Sequence, residues 1–195
     1  MRLIALLILF LGLAVPAKYV AAADAAPVTL SPELRKTLEA LPHLHGRKVR
    51  EADLKGKVVL VSFFANWCPP CNIEFKHLRD AHAAYHRKGL RIVAINYFEE
   101  LDGFADGGAR LDRFLTRHAP WYSVVKGNDA VAKKFADVTR IPTVFVFDRK
   151  GNLALHFIHR WKAKKTNLTM GELHGALRPL LGLSPRTAPT SRSGH

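Results

Sequence analysis

The chain contains two cysteines, Cys68 and Cys71, and the stretch around them limits what the rest can be. Val58 to Ala65 is rich in β-branched and aromatic residues and too continuous for one-sided alternation. That pattern predicts a central strand buried on both faces. Trp67-Cys68-Pro69-Pro70-Cys71 follows at once, and from there to about Lys88 the pattern is helical, with Gly89 as its stop. A strand that ends at a Cys-x-x-Cys pair and turns into a helix puts the first sulfur at a helix N-terminus. Unpaired backbone N–H groups and the macrodipole there favour a thiolate, the form that attacks disulfides. Cys68 is therefore the candidate nucleophile. Cys71, one turn further in, is the candidate resolving thiol, closing a ring with Cys68 to release a mixed disulfide.

Proline is tolerated in a first helical turn because the N–H groups there lack partners anyway. Pro69 and Pro70 also remove two donors that could have bonded the Cys68 sulfur, which predicts a less stabilised thiolate and a more reducing couple. Two structural readings of the pair are weaker. Zinc needs four ligands, and the chain has no second cysteine pair and no histidine at finger spacing from Cys71. A purely structural disulfide across a two-residue spacer would restrain little chain entropy. The redox pair is thus the cofactor, with no metal or organic group beside it.

The first segment reads as an address. Arg2 is followed by the apolar run Leu3 to Val15, then by Pro16, Lys18 and the small residues Ala21-Ala22-Ala23. The run is too short to span a bilayer alone and reads as a signal peptide over residues 1–23, with an uncleaved anchor as the alternative. Periplasmic export is the expectation. An oxidising compartment would oxidise a lone catalytic pair, so a working dithiol implies a membrane electron donor. The formal charge is +14; losing Arg2 and Lys18 leaves 28 basic against 16 acidic side chains, or +12. Such a charge suits acidic partners, anionic membrane surfaces or nucleic acid; an exported protein rarely meets nucleic acid, none is expected as partner, and a solvated basic surface is the expectation.

Along the chain, Ser31-Pro32 reads as the cap and first position of a helix that places Leu34, Leu38 and Leu41 on one face. Gly46 to Lys57 reads as turns and short extended pieces. Arg91 to Phe98 is a second buried strand, making a βαβ unit with a parallel pair. Glu99 to Gly108 is an acidic, glycine-rich loop without EF-hand spacing. Then come a helix over Arg110–His118, a strand over Trp121–Val125 and a helix over Asp129–Ala136. Two strands, Ile141–Asp148 and Leu153–Arg160, flank a hairpin signal at 149–152, and a closing helix covers Met170–Leu181. Ser184 to His195 is Pro/Ser/Arg-rich and reads as disordered. The histidine pairs His82/His86 and His43/His45 have no acidic or sulfur ligand beside them in sequence, so solvent-facing histidines are the expectation.

These parts together resemble the thioredoxin superfamily, and within it the exported TlpA-like branch to which ResA and CcmG belong. The resemblance rests on Asp53 to Val61 as the entry to the central strand, on Phe63 to Cys71 as the active-site signature, on Glu74 three residues after the second cysteine, and on Arg140-Ile141-Pro142-Thr143 as a cis-proline loop. It covers about residues 40–182. It implies an α/β, thioredoxin-like fold with a central mixed β-sheet flanked by helices, residues 24–39 forming an N-terminal extension and 183–195 a disordered tail. It implies a thiol–disulfide oxidoreductase, mainly a disulfide reductase, with a place in cytochrome c or oxidase maturation. Protein thiols and disulfides are the implied substrates, a donor of the DsbD/CcdA type the electron source, and a monomer the working form.

For the site, the resemblance implies Cys68, Cys71 and Glu74 as catalytic residues, Glu74 being a partly buried acid that moves protons for Cys71. Trp67, Pro69, Pro70, Ile141 and Pro142 are the implied substrate-binding residues, with a cis peptide at Pro142 beside the sulfurs and neighbouring backbone pairing an extended substrate. Three departures stand out. Ser62 replaces the buried aspartate of thioredoxins proper, Lys76 stands where the branch often has proline, and the 99–108 segment is longer than usual. Two other readings use the same residues: a dithiol oxidant, separable only by its potential, and a copper-binding module, against which the two-residue spacing speaks.

Overall fold

The computed structural model describes residues 28–102, 108–118, 120–160 and 162–184. The expected signal peptide and nearly all of the expected tail lie outside them. No helix among the described residues is long and apolar enough to cross a membrane.

One six-stranded mixed sheet runs through the molecule in the order β1-β4-β3-β2-β5-β6. The strands are β1 (His43–His45), β2 (Val58–Phe64), β3 (Leu90–Asn96), β4 (Ser123–Lys126), β5 (Thr143–Phe147) and β6 (Leu153–Ile158). β2, β3 and β4 are parallel, and β5, β6 and β1 run antiparallel to their neighbours. The helices are α1 (Pro32–Ala40), α2 (Glu51–Leu54), α3 (Pro69–Tyr85), α4 (Ala109–His118), α5 (Asp129–Lys134) and α6 (Met170–Leu180). The α/β arrangement is thioredoxin-like, as the sequence led one to expect.

The central strand is β2, and all seven of its residues are buried. Alternation then sorts its side chains onto two faces. Phe63 packs against Phe135, with ring centroids 5.3 Å apart, on one side of the sheet. Phe64 packs against Phe75 of α3 at 4.4 Å on the other. Ser62 shares the face of Phe64 and so points at α3, a polar atom in a strand otherwise made of apolar side chains.

α3 starts on two prolines and ends through a single 3₁₀ turn, His86–Lys88, at Gly89, whose φ of +103° suits glycine. α6 is fixed by a reciprocal cap in which the Thr169 hydroxyl accepts from the Glu172 amide and the Glu172 carboxylate accepts from the Thr169 amide. Of the boundaries that differ from the sequence reading, two have a visible cause. Residues 51–54, read as turn or extended, form the short helix α2, because Lys55 N–H closes an i→i−4 bond to Glu51 O. The Trp121–Val125 strand begins later, at Ser123, because Trp121 lies in the open, 77% exposed, while Tyr122 is buried.

α1 is docked. Ser31 caps it through a 3.2 Å bond from Leu34 N–H, and Leu30, Leu34 and Leu38 are buried in the same cluster as the strands. Leu38 has no exposed surface. Leu38→Ala is therefore expected to destabilise the protein by about 2–5 kcal/mol through lost burial and a residual cavity. Urea unfolding monitored by circular dichroism checks this, and a change under about 0.5 kcal/mol, the level of a surface substitution, would show that α1 carries none of the core.

Candidate active site

Cys68 and Cys71 form a disulfide where the C-terminal end of β2 meets the start of α3. Cys68 is the N-cap of α3, 3% exposed, and Cys71 is fully covered. The loop before them is held from both sides. Asn72 donates its side-chain amide to the Cys68 carbonyl at 3.0 Å and to the Asn66 carbonyl at 3.4 Å. Glu99 accepts from the Asn66 backbone N–H at 3.2 Å and from the side-chain amides of Asn66 and Asn96. Trp67 donates its indole N–H to the Phe98 carbonyl at 2.9 Å. The first turn of the 99–108 segment is thus tied to the loop that carries Cys68.

An open cleft of about 380 Å³ borders Cys68. Trp67, Pro69, Pro70 and Ile141 line it, and so do Phe98 and Leu101 from the 98–102 turn. Pro142 is buried behind Ile141, and the Ile141–Pro142 peptide is cis. Among these liners only Arg140 and His159 are ionisable. The His159 ring nitrogen Nδ1 lies 3.1 Å from the Ile141 carbonyl, and since a carbonyl only accepts, that nitrogen carries the proton. The His159 backbone N–H also donates to the Pro142 carbonyl at 3.0 Å. The carbonyls flanking the cis bond thus already have a partner within the chain.

Behind the disulfide lies Glu74, three residues after Cys71 on the inner face of α3 and 1% exposed. The sequence reading made it partly buried; it is wholly buried. The Ser62 hydroxyl donates to its Oε1 at 2.8 Å, and its Oε2 has no well-formed hydrogen bond among the described residues, although the Leu168 backbone lies near the carboxylate. Burial pushes Glu74 up to about 7, against the lowering effects of the Ser62 bond and the Leu168 backbone. An acid in that range holds or releases a proton near neutral pH. Ser62 became the donor that orients the acid supplied by α3, and the signal for it was a lone hydroxyl in an apolar strand.

The structure places the residues read as the site as follows, with Pro142 buried next to Ile141. Cys68, Trp67, Pro69, Pro70 and Ile141 share the cleft, while Cys71 and Glu74 are buried behind it. Sequence reasoning missed Phe98, Leu101, Asn66, Asn72, Asn96 and His159. Phe98 sits at φ +64°, a left-handed backbone seldom adopted by an aromatic residue, and no local pattern marked it. Among the described residues no group of three or more His, Cys, Asp and Glu side chains is placed to hold a metal ion. His82 and His86 stack at 4.8 Å, both half-buried rather than fully solvent-facing.

Pro69 and Pro70 are not equivalent, contrary to the sequence reading. The Cys68 sulfur is not without an amide donor, because Cys71 N–H points at it from 3.3 Å. N-cap side chains bond the N–H of the second or third helical residue, not the first. Pro69 is first, Pro70 second and Cys71 third. Only Pro70 removes a donor that would face the sulfur. Pro70→Ala is thus expected to make the thiolate form at lower pH and the couple more oxidising, while Pro69→Ala changes both much less. A thiolate absorbance titration with a redox equilibrium against glutathione checks this; equal effects, or the reverse order, contradict it.

Comparisons with known proteins agree with this geometry. A family model described as the AhpC/TSA family matches residues 35–156. The thiol-disulfide oxidoreductase ResA of Bacillus subtilis (strain 168) is 27% identical over 113 residues, covering 58% of this chain and 59% of ResA. The ResA of Oceanobacillus iheyensis is 30% identical over 105 residues, covering 54% of this chain and 51% of that protein. The chain thus spans little more than half the length of these curated relatives. A crystal structure of a Chlorobium tepidum protein assigned as a thiol:disulfide interchange protein DsbE superposes with a TM-score of 0.55 at 26% identity, covering 74% of this chain and 95% of that one. A second Chlorobium tepidum structure, a thioredoxin family protein, shares the fold with a TM-score of 0.57 at 24% identity, over 82% of this chain and all of the other.

Proposed function

The chain belongs to the AhpC/TSA family, among the ResA-related thiol–disulfide oxidoreductases of the thioredoxin superfamily, and from that premise we propose that it reduces disulfides of exported proteins. The observation that carries the reading is the disulfide at the rim of an apolar cleft with a buried, proton-holding acid one turn behind it.

In the working cycle the dithiol form reacts. The Cys68 thiolate attacks one sulfur of a substrate disulfide, the substrate S–S bond breaks, and the leaving thiolate takes a proton from solvent. Cys71 then loses its proton to the Glu74 carboxylate and attacks the Cys68 sulfur. The mixed disulfide breaks, the second substrate sulfur leaves as a thiolate that takes a proton from solvent, and Cys68–Cys71 is oxidised. Two electrons have passed to the substrate. An external dithiol returns them, and Glu74 gives its proton back to Cys71 as that thiol reforms.

The direction rests on Pro70, whose missing amide leaves the Cys68 thiolate with one donor fewer. Trp67, Pro69, Pro70 and Ile141 form the substrate wall, with Pro142 fixing the backbone behind it. The reading includes export to the periplasm through residues 1–23, re-reduction by a membrane donor of the DsbD/CcdA type, a monomer as the working form, and no nucleic-acid partner. Following the TlpA-like resemblance, proteins of cytochrome c or oxidase maturation are the first substrates to try.

Insulin reduction with dithiol regeneration is expected to vanish in Cys68→Ser. In Cys71→Ser the reaction should stall at the first step and accumulate reductant-sensitive adducts with substrate, visible on non-reducing gels. Activity that survives Cys68→Ser contradicts the assignment.

A further inference from the structure

At the far end of α3 from the disulfide lies a second cleft, about 280 Å³ in volume. α3 is 17 residues long, so its two ends are about 25 Å apart. Five cations line this cleft, Arg47, Lys48, Arg50, Arg87 and Arg91, against one carboxylate, Asp53. That carboxylate is already engaged by Arg50 at 2.8 Å. No ion pair joins Arg47, Lys48, Arg87 or Arg91 to an acid among the described residues.

The end of a helix repels anions through its dipole. Here that effect is offset, since the Arg91 guanidinium donates to the carbonyls of His86 at 3.1 Å and Leu90 at 2.9 Å. His82 and His86 also line the cleft, their rings stacked 4.8 Å apart. Burial, then the charges of His86, Arg91 and Arg47, hold the His82 imidazole below its usual value. A site this positive costs electrostatic repulsion unless something negative occupies it. Trp121 lines the same cleft with 77% of its surface open, so the cationic walls carry an apolar platform beside them.

We propose that this cleft binds a phosphate-bearing anion, its phosphate held by the guanidinium groups of Arg47, Arg87 and Arg91 and its organic part resting on Trp121. Guanidinium forks match phosphate oxygens bidentately, and the two imidazoles add protonatable donors. A free phosphate ester and the headgroup of an anionic phospholipid present the same chemistry. An indole between basic side chains also suits a membrane interface, where binding at this end would turn Cys68 away from the lipid. The site is independent of the disulfide chemistry.

The test uses the oxidised mature chain at low ionic strength. The His82 and His86 ring signals and the Trp121 indole N–H signal are followed by NMR. Inorganic phosphate and glycerol 3-phosphate are titrated separately, with sodium chloride at matched ionic strength as control. Flotation with phosphatidylglycerol-containing vesicles, against phosphatidylcholine alone, forms the second arm. Saturable shifts at these three residues, with His82 titrating at higher pH when phosphate is bound, are expected. Arg47→Gln combined with Arg87→Gln should weaken binding by about ten-fold or more, with the circular dichroism spectrum and Cys68 reactivity kept.

Binding of anionic vesicles that added phosphate displaces supports the site with lipid as its source. Saturable binding of the ester without vesicle binding supports it with a soluble source. Shifts that matched chloride reproduces, or affinity unchanged in the double variant, overturn it.

Discussion

A carboxyl group sealed between β2 and α3, with one oxygen on the Ser62 hydroxyl and the other without a well-formed hydrogen bond among the described residues, sets the conditions for the rest of the site. Burying an ionised carboxylate is expensive, and the Ser62 hydroxyl and the Leu168 backbone offset only part of that cost, so the proton stays on Glu74 to higher pH than on an exposed acid. The seam can hold such a group because everything around it is tightly packed. Val61, Phe63 and Phe64 fill the strand on either side of Ser62, and Phe75 and Leu78 fill the helix beside Glu74. The polar pair is the one break in an apolar interface, and it sits one turn from Cys71.

The other half of the site is made by a turn rather than by the sheet. Glu99 reaches across to Asn66 and Asn96, and Trp67 reaches back to the Phe98 carbonyl. These bonds hold Phe98 and Leu101 as a wall of the cleft beside Cys68. The sheet and α3 set the sulfurs, and the turn forms one wall of the cleft beside them. Leu101, 70% exposed, is a large apolar side chain at the mouth of this cleft.

Much of this was legible in the chain. Val58 to Phe64 read as a central strand because its apolar run does not alternate, and all seven residues are buried. Ser31 and Pro32 gave the start of α1, and Gly89 the end of the turn after α3, since cap chemistry is local. The identity of the acid was also local, Glu74 being three residues from Cys71. Its degree of burial was not, because the strand that covers it comes 12 residues earlier and the bond to Ser62 is a tertiary contact. The proline argument failed by one position for a related reason. The composition of a turn says how many amides are missing, but only the cap geometry says which of them would have faced the sulfur. The Glu99 anchor and His159 join residues separated by 33 and 18 positions, and no periodicity records such contacts.

Burial raises Glu74 into the neutral range, and the pH dependence of stability measures this directly. In the unfolded chain Glu74 titrates near its ordinary value of 4.5, and in the folded protein near 7. Between those values the folded state binds a proton that the unfolded state does not, so stability falls as pH rises through that interval and levels off above it. The interval corresponds to roughly 3 kcal/mol. Urea unfolding of the disulfide-intact protein at pH 5 and pH 8, beside Glu74→Gln, isolates the effect. The account predicts that the wild type loses about 2–3 kcal/mol relative to the variant between the two pH values. Parallel losses in the two proteins would mean that Glu74 titrates as an ordinary surface acid and would contradict it.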